Sequence, residues 1–201
     1  MKTEYRIYDQ ELELRASKDG DNQILEGYAA LYDVESRLIP ENGKRFIEII
    51  DKGAFRDVLK GDVYLTFNHS KDRILARTIN NSLTLTENDK GLYFRAVLNN
   101  TSIAKDVYEM VLRGDIAENS FAFQVGEGQK WERNGEGVPL RRISKIANLS
   151  DVSVVTNAAY PQTEVYARGF EEFEDEHIKD LVRINEEPYK DMVHLLQLKN
   201  N

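Results

Sequence analysis

Apolar residues in the first 169 positions recur mainly at every second place, in runs too short for long helices but long enough for strands. Asp62-Val63-Tyr64-Leu65-Thr66-Phe67-Asn68 sets Val63, Leu65 and Phe67 on one face. Gln23 to Tyr32 is apolar-rich, contains Gly27 and ends at polar residues. Ser82 to Thr86 and Gly91 to Leu98 flank Glu87-Asn88-Asp89-Lys90, a turn-like cluster, so the spacing predicts a hairpin. Ser120 to Val125, Leu140 to Ile146 and Asp151 to Thr156 are further strand candidates. A chain of this pattern must bury one face of each sheet. It is expected to form a β-dominated α+β fold, with a β-barrel-like core and helices packed outside.

Two helices are expected among these strands. Asp51 can cap a short one through Phe55, Val58 and Leu59. Thr101 or Ser102 can cap a longer one, with Ile103, Val107 and Val111 on a stripe joined by Ala104, Tyr108 and Leu112, and with Gly114 at its end. The composition changes near residue 170, which predicts a folded domain over 1–169 and an acidic helical C-terminal tail over 170–201. The tail carries nine acidic against four basic residues, a net of −5 out of −8 for the whole chain. Its run Glu171-Glu172-Phe173-Glu174-Asp175-Glu176 leads into Ile178, Leu181, Val182 and Ile184. Pro188 then precedes a second helical pattern through Met192, Val193, Leu195, Leu196 and Leu198. Such helices either face water or dock a partner.

Composition removes several chemistries. There are no cysteines among the 201 residues, so disulfides, thiol catalysis and thiolate metal sites are excluded. The net negative charge argues against nucleic acid as the main partner. No stretch approaches the roughly 20 apolar residues of a membrane span, and Met1 to Arg6 has no signal-peptide core. A soluble, intracellular protein without membrane association is expected. Gly126-Glu127-Gly128 lies between a strand and the Trp131 loop, the wrong context for a phosphate-binding loop. Of three histidines, His177 and His194 fall in the tail, and no metal-ligand spacing is present. Neither cofactor nor metal is expected.

Nucleophilic hydrolysis stays open. It needs a hydroxyl, an imidazole within reach and a group to orient the ring. His69 is the one imidazole before the tail, at the end of the Val63-to-Asn68 strand, where the chain is expected to turn through Ser70, Lys71 and Asp72. In the strand Ser120-Phe121-Ala122-Phe123-Gln124-Val125, the phenylalanines point to the core and Ser120 to an open face. Asp151 shares a strand face with Ser153. Asp151 can orient His69 or cap a turn after Asn148-Leu149-Ser150, and Ser153 rivals Ser120 as nucleophile; periodicity does not choose between them.

The ordered series of short motifs carries more than any one of them. Glu26-Gly27-Tyr28-Ala29-Ala30-Leu31 is followed by Ile49-Ile50-Asp51-Lys52-Gly53-Ala54-Phe55 and Phe67-Asn68-His69. Ile74-Leu75-Ala76-Arg77-Thr78, Leu83-Thr84-Leu85 and Asp89-Lys90-Gly91-Leu92 come next. Asp106-Val107-Tyr108 then leads to Arg113-Gly114-Asp115-Ile116 and Ser120-Phe121-Ala122-Phe123. The series closes with Leu149-Ser150-Asp151-Val152-Ser153-Val154-Val155-Thr156 and Ala159-Tyr160-Pro161. Over roughly residues 24 to 165 this resembles the prohead protease family of tailed phages, which is related in fold to the herpesvirus capsid-assembly proteases.

The resemblance implies a serine endopeptidase with His69 as general base and Ser120, rather than Ser153, as nucleophile. It implies Asp151 as the third member, although the family usually has Glu there and the herpesvirus relatives a second His. Ala158 stands where Pro is common. Arg141 and Arg142 resemble the basic step near the oxyanion site of the related viral proteases. The implied partners are the major capsid protein with its scaffolding segment, and the protease itself through self-cleavage or self-association. The implied place of action is the assembling prohead in the host cytoplasm. Two other readings stand beside it. One is a non-enzymatic scaffold or capsid-binding module that kept the fold; the other is an unrelated esterase, for which the Gly-x-Ser-x-Gly elbow is missing.

Overall fold

The computed structural model describes residues 1–7, 13–41, 44–156 and 173–176. The chain divides into two units, Met1–Tyr166 and Ala167–Asn201. In the second unit only 173–176 are described, as a helical turn; the rest of the expected tail helices lies outside the described residues. No helix among the described residues is long and apolar enough to cross a membrane.

The first unit is built from strands β1 (Glu4–Ile7), β2 (Arg15–Asp19), β3 (Asn22–Leu31), β4 (Ile39–Glu41), β5 (Lys44–Ile50), β6 (Tyr64–Phe67) and β7 (Ser70–Arg77). They are followed by β8 (Leu83–Glu87), β9 (Gly91–Val97), helix α1 (Ser102–Leu112), β10 (Glu118–Val125), β11 (Gln129–Arg133), β12 (Pro139–Ile143) and β13 (Ile146–Val155). Three open sheets result, ordered β1-β10-β13-β6-β7, β11-β12-β5-β4 and β2-β3-β9-β8. Pairing is antiparallel except for β13 with β6 and β12 with β5.

The expected β-dominated fold is present, but its core is not a closed barrel. Among the described residues, the last strand of each sheet does not pair back to the first. The faces are buried against one another instead. Leu25 and Phe94 from one sheet, Ile50 from another, and Leu65, Phe121 and Phe123 from the third meet in one apolar cluster with Val107 and Tyr108 of α1. Side chains of this size contribute roughly 1.5–3 kcal/mol each when fully buried. The predicted hairpin forms as β8 and β9, paired from Leu83↔Ala96 to Glu87↔Leu92. Gly91 is required there: a Cβ on it would lie 2.0 Å from the Ala30 carbonyl oxygen of the neighbouring strand.

Helix α1 follows its expected pattern at one end and departs from it at the other. Thr101 is the cap, its hydroxyl accepting from the Ala104 N–H, and Ala104, Val107, Tyr108 and Val111 are buried. Leu112, expected on the buried stripe, is exposed, while Gly114 follows the last turn with φ +79°. The expected helix after Asp51 does not form. Gly53 takes φ +86°, and the amides of Ala54, Arg56, Val58 and Gly61 each reach back three residues in successive tight turns. Asp51 does not cap them, because its carboxylate takes the Arg142 guanidinium at 2.6 Å. The segment instead plugs the core, with Ala54 and Phe55 fully buried and Phe55 edge-on to Phe121.

Candidate active site

Three adjacent strands of the five-stranded sheet, β10, β13 and β6, carry the residues singled out by sequence. His69 sits just beyond β6, in a two-residue turn joining it to β7; Phe67 and Ser70 pair across the turn. The chain therefore turns at Asn68 and His69 themselves, not through Ser70 to Asp72, where β7 has already begun. Both turn residues lie at positive φ, 52° and 55°, the backbone that matches a two-residue hairpin to strand twist. Asn adopts this region readily, and His does so far less often than Gly.

Bonds to β13 hold the turn. The Asn68 N–H donates to the Val154 carbonyl at 3.0 Å, and the Thr156 N–H donates to the Asn68 amide oxygen at 3.1 Å. The His69 N–H donates to the Ser153 hydroxyl at 2.9 Å.

The His69 ring lies across β13 toward β10. Its Nε2 is 2.7 Å from the Ser120 hydroxyl oxygen, and its Nδ1 is 2.7 Å from Asp151 Oδ1. These contacts follow from register. Ser120 stands opposite Ser153, and Ala122 opposite Asp151, on β10 and β13. Ser153 in turn stands beside Thr66 on β6, three residues before His69. Asp151 and Ser153, two positions apart, share the face over which the imidazole extends. The side chains of His69 and Asp151 are 19% and 12% exposed, so this contact is partly shielded from water.

Ser120 does not lie on an open face as its strand pattern suggested. It is fully buried, because the imidazole covers its hydroxyl and β1 pairs along β10 with Ile7 opposite Ser120. Tyr5 of the same strand packs its ring edge-on to His69 with centroids 4.7 Å apart.

Arg141 and Arg142, which the resemblance set near an oxyanion site, bond to other partners in the structure. Arg141 is fully buried. Its guanidinium donates to Glu4 at 2.5 and 2.9 Å, to Glu48 at 2.9 Å and to Gln129 at 2.8 Å. Arg6 completes the cluster, bonded to Glu48 at 2.7 Å and Glu4 at 2.6 Å. Glu4 and Arg6 pair in register with Phe123 and Phe121, and the Arg6 guanidinium lies over the Phe123 ring. Arg141 is therefore held on the side of the sheet opposite Ser120. Arg142 pairs with Asp51 and, at 3.4 Å, with Asp33.

Burial alone would raise the Glu48 carboxyl, but Arg6 and Arg141 outweigh it and hold the group below the ordinary carboxylate range. Burial likewise opposes the charge on Arg6, and Glu48 and Glu4 more than restore it. Among the described residues no group of three or more His, Asp and Glu side chains is arranged to hold a metal ion.

Two contributors were not legible as such in the sequence. Ser153 read as a rival nucleophile, yet it receives the His69 amide; its pairing with both Ser120 and Thr66 is the signal, visible only once strand order is known. Tyr5 belongs to a strand the period-two pattern did not mark.

A hydroxyl, an imidazole and a carboxylate joined in series at hydrogen-bond distance on a β-rich body define the class of serine hydrolases. The sequence pattern of the caudovirus prohead serine proteases matches residues 10–176, and the chain belongs to that family. Family membership supports a protease of capsid maturation. Among solved structures, the bacteriophage T4 capsid assembly protease gp21 is similar: 9% identical, TM-score 0.44, with 77% of this chain and 99% of that chain covered. No curated protein matches the chain.

Proposed function

We propose that the protein is a serine endopeptidase that cleaves the scaffolding segment of its phage's major capsid protein, and itself, during prohead maturation. An ionised Asp151 can only accept a hydrogen bond, so Nδ1 of His69 carries the ring proton and Nε2 is left to accept from Ser120. As Ser120 Oγ attacks the scissile carbonyl, its proton passes to Nε2, and Asp151 stabilises the resulting imidazolium. The tetrahedral intermediate collapses to an acyl-enzyme as the imidazolium protonates the leaving amine. Water then attacks the acyl carbon and gives a proton to Nε2, and as the acyl bond to Ser120 breaks that proton passes to Ser120 Oγ and the new carboxyl is released.

The observation that carries this reading is the pair of 2.7 Å contacts on the two ring nitrogens of His69. Enclosure with the substrate inside an assembling shell raises effective concentration, so modest affinity suffices. Co-expression with the major capsid protein tests it. Wild-type protein is expected to shorten the capsid protein, and Ser120→Ala to leave it full-length in assembled shells. Truncation that persists with Ser120→Ala overturns the assignment of the nucleophile, and full-length capsid protein with the wild type favours a non-enzymatic module.

A further inference from the structure

We propose that Ser153 is a positioning residue that holds His69 in register with Ser120 and Asp151; the inference rests on the protease reading above and extends it to a residue outside the three-membered relay. Ser153 is fully buried, and its hydroxyl serves two backbone groups of the turn-bearing hairpin. It accepts from the His69 N–H at 2.9 Å and donates to the Thr66 carbonyl at 3.2 Å. One side chain of β13 thus ties the end of strand β6, through the Thr66 carbonyl, to the second residue of the turn, through the His69 N–H. The same strand carries Asp151 two residues earlier on the same face, and Ser120 lies directly opposite Ser153 on β10.

The position of the imidazole relative to both partners is therefore set through Ser153. This matters because His69 sits at φ 55°, a backbone region that is costly for a non-glycine residue and persists where the surrounding structure holds it. Without the hydroxyl the partly buried His69 N–H loses its acceptor, and the turn can relax toward ordinary φ, drawing Nε2 away from Ser120. Displacements of about 1 Å at such a group lower rates by roughly a hundredfold. Substrate binding, which Ser153 does not touch, is expected to be spared.

The test follows the reaction of the full chain with a fluorophosphonate probe, as wild type, Ser153→Ala and Ser153→Cys, with amide exchange at His69 measured by NMR. Ser153→Ala should lower the inactivation rate constant by about tenfold or more while the probe's half-saturation concentration stays within about twofold, and the His69 amide should exchange faster. Ser153→Cys keeps the shape with a weaker acceptor and should fall between. If Ser153→Ala does not fold, the Cys variant decides: a reduced rate constant supports the proposal, and a wild-type one overturns it. A wild-type rate constant in folded Ser153→Ala also overturns it. If the wild type itself is not labelled, the protease reading fails, and unchanged His69 exchange in Ser153→Ala would then refute the anchor separately.

Discussion

His69 has two ring contacts of equal length, but they ask different things of their partners. In the proposed relay Ser120 must give up a proton, whereas Asp151 must keep accepting a hydrogen bond. Asp151→Asn is isosteric yet offers an amide that can donate to Nδ1, which favours the tautomer with the proton on Nε2. We expect kcat to fall by about two to four orders of magnitude with KM little changed. Asp151→Glu should retain more activity than Asp151→Asn, since it restores an acceptor. Steady-state cleavage of a capsid-derived peptide measures both, and an Asp151→Asn enzyme within threefold of wild type would remove Asp151 from the relay. At this scale the sequence was informative about identity and silent about environment. Ser120, His69 and Asp151 could be named from motif order, but a period-two reading put Ser120 on an open face. It had no means of knowing that an edge strand and the imidazole would close over it.

Strand β1 shows what alternation can and cannot convey about an element. Its four residues place Glu4 and Arg6 inward and Tyr5 toward His69, the reverse of what hydropathy favours. Glu4 and Arg6 are buried because their partners, Glu48 and Arg141, come from strands 42 and 137 positions away, a separation no local window spans. The same long-range pairing accounts for Arg141, a fully buried cation whose carboxylate partners lie far away in sequence. The short helix expected after Asp51 failed for a related reason: Gly53 adopts positive φ and Asp51 is drawn off by Arg142.

Removing one member of a buried charge cluster leaves its partners uncompensated, and such losses run to about 3–5 kcal/mol. Glu48→Ala should therefore lower unfolding stability by about that amount, read from the denaturation midpoint in urea; a loss below about 1 kcal/mol would show that the cluster holds nothing. The linkage has a definite sign. The Glu48 carboxyl is depressed in the folded state, so its stabilisation is complete above the ordinary glutamate value of 4.5. It is lost as pH falls through the lower folded value, when the carboxyl takes up a proton. Part of the acid-induced loss of stability below that range should thus be missing in Glu48→Gln.

In the first unit, three open sheets enclose one core, and a single sheet collects residues 51 and 82 positions apart in sequence onto one face. Class and family were readable from alternation and ordered motifs. Sheet closure was not, because whether a last strand returns to the first depends on strand order, and the sequence pattern reports only faces. The acidic balance of 170–201 is a property of the sequence.

The relay is the point on which the account stands, and one measurement reaches it directly. Intact wild type and His69→Ala are treated with a fluorophosphonate and the adduct is mapped by peptide mass spectrometry. A single adduct on Ser120, formed by the wild type and lost or slowed at least a hundredfold in His69→Ala, is the predicted result. No adduct, an adduct on Ser153, or equal labelling of Ser120 without His69 would contradict it.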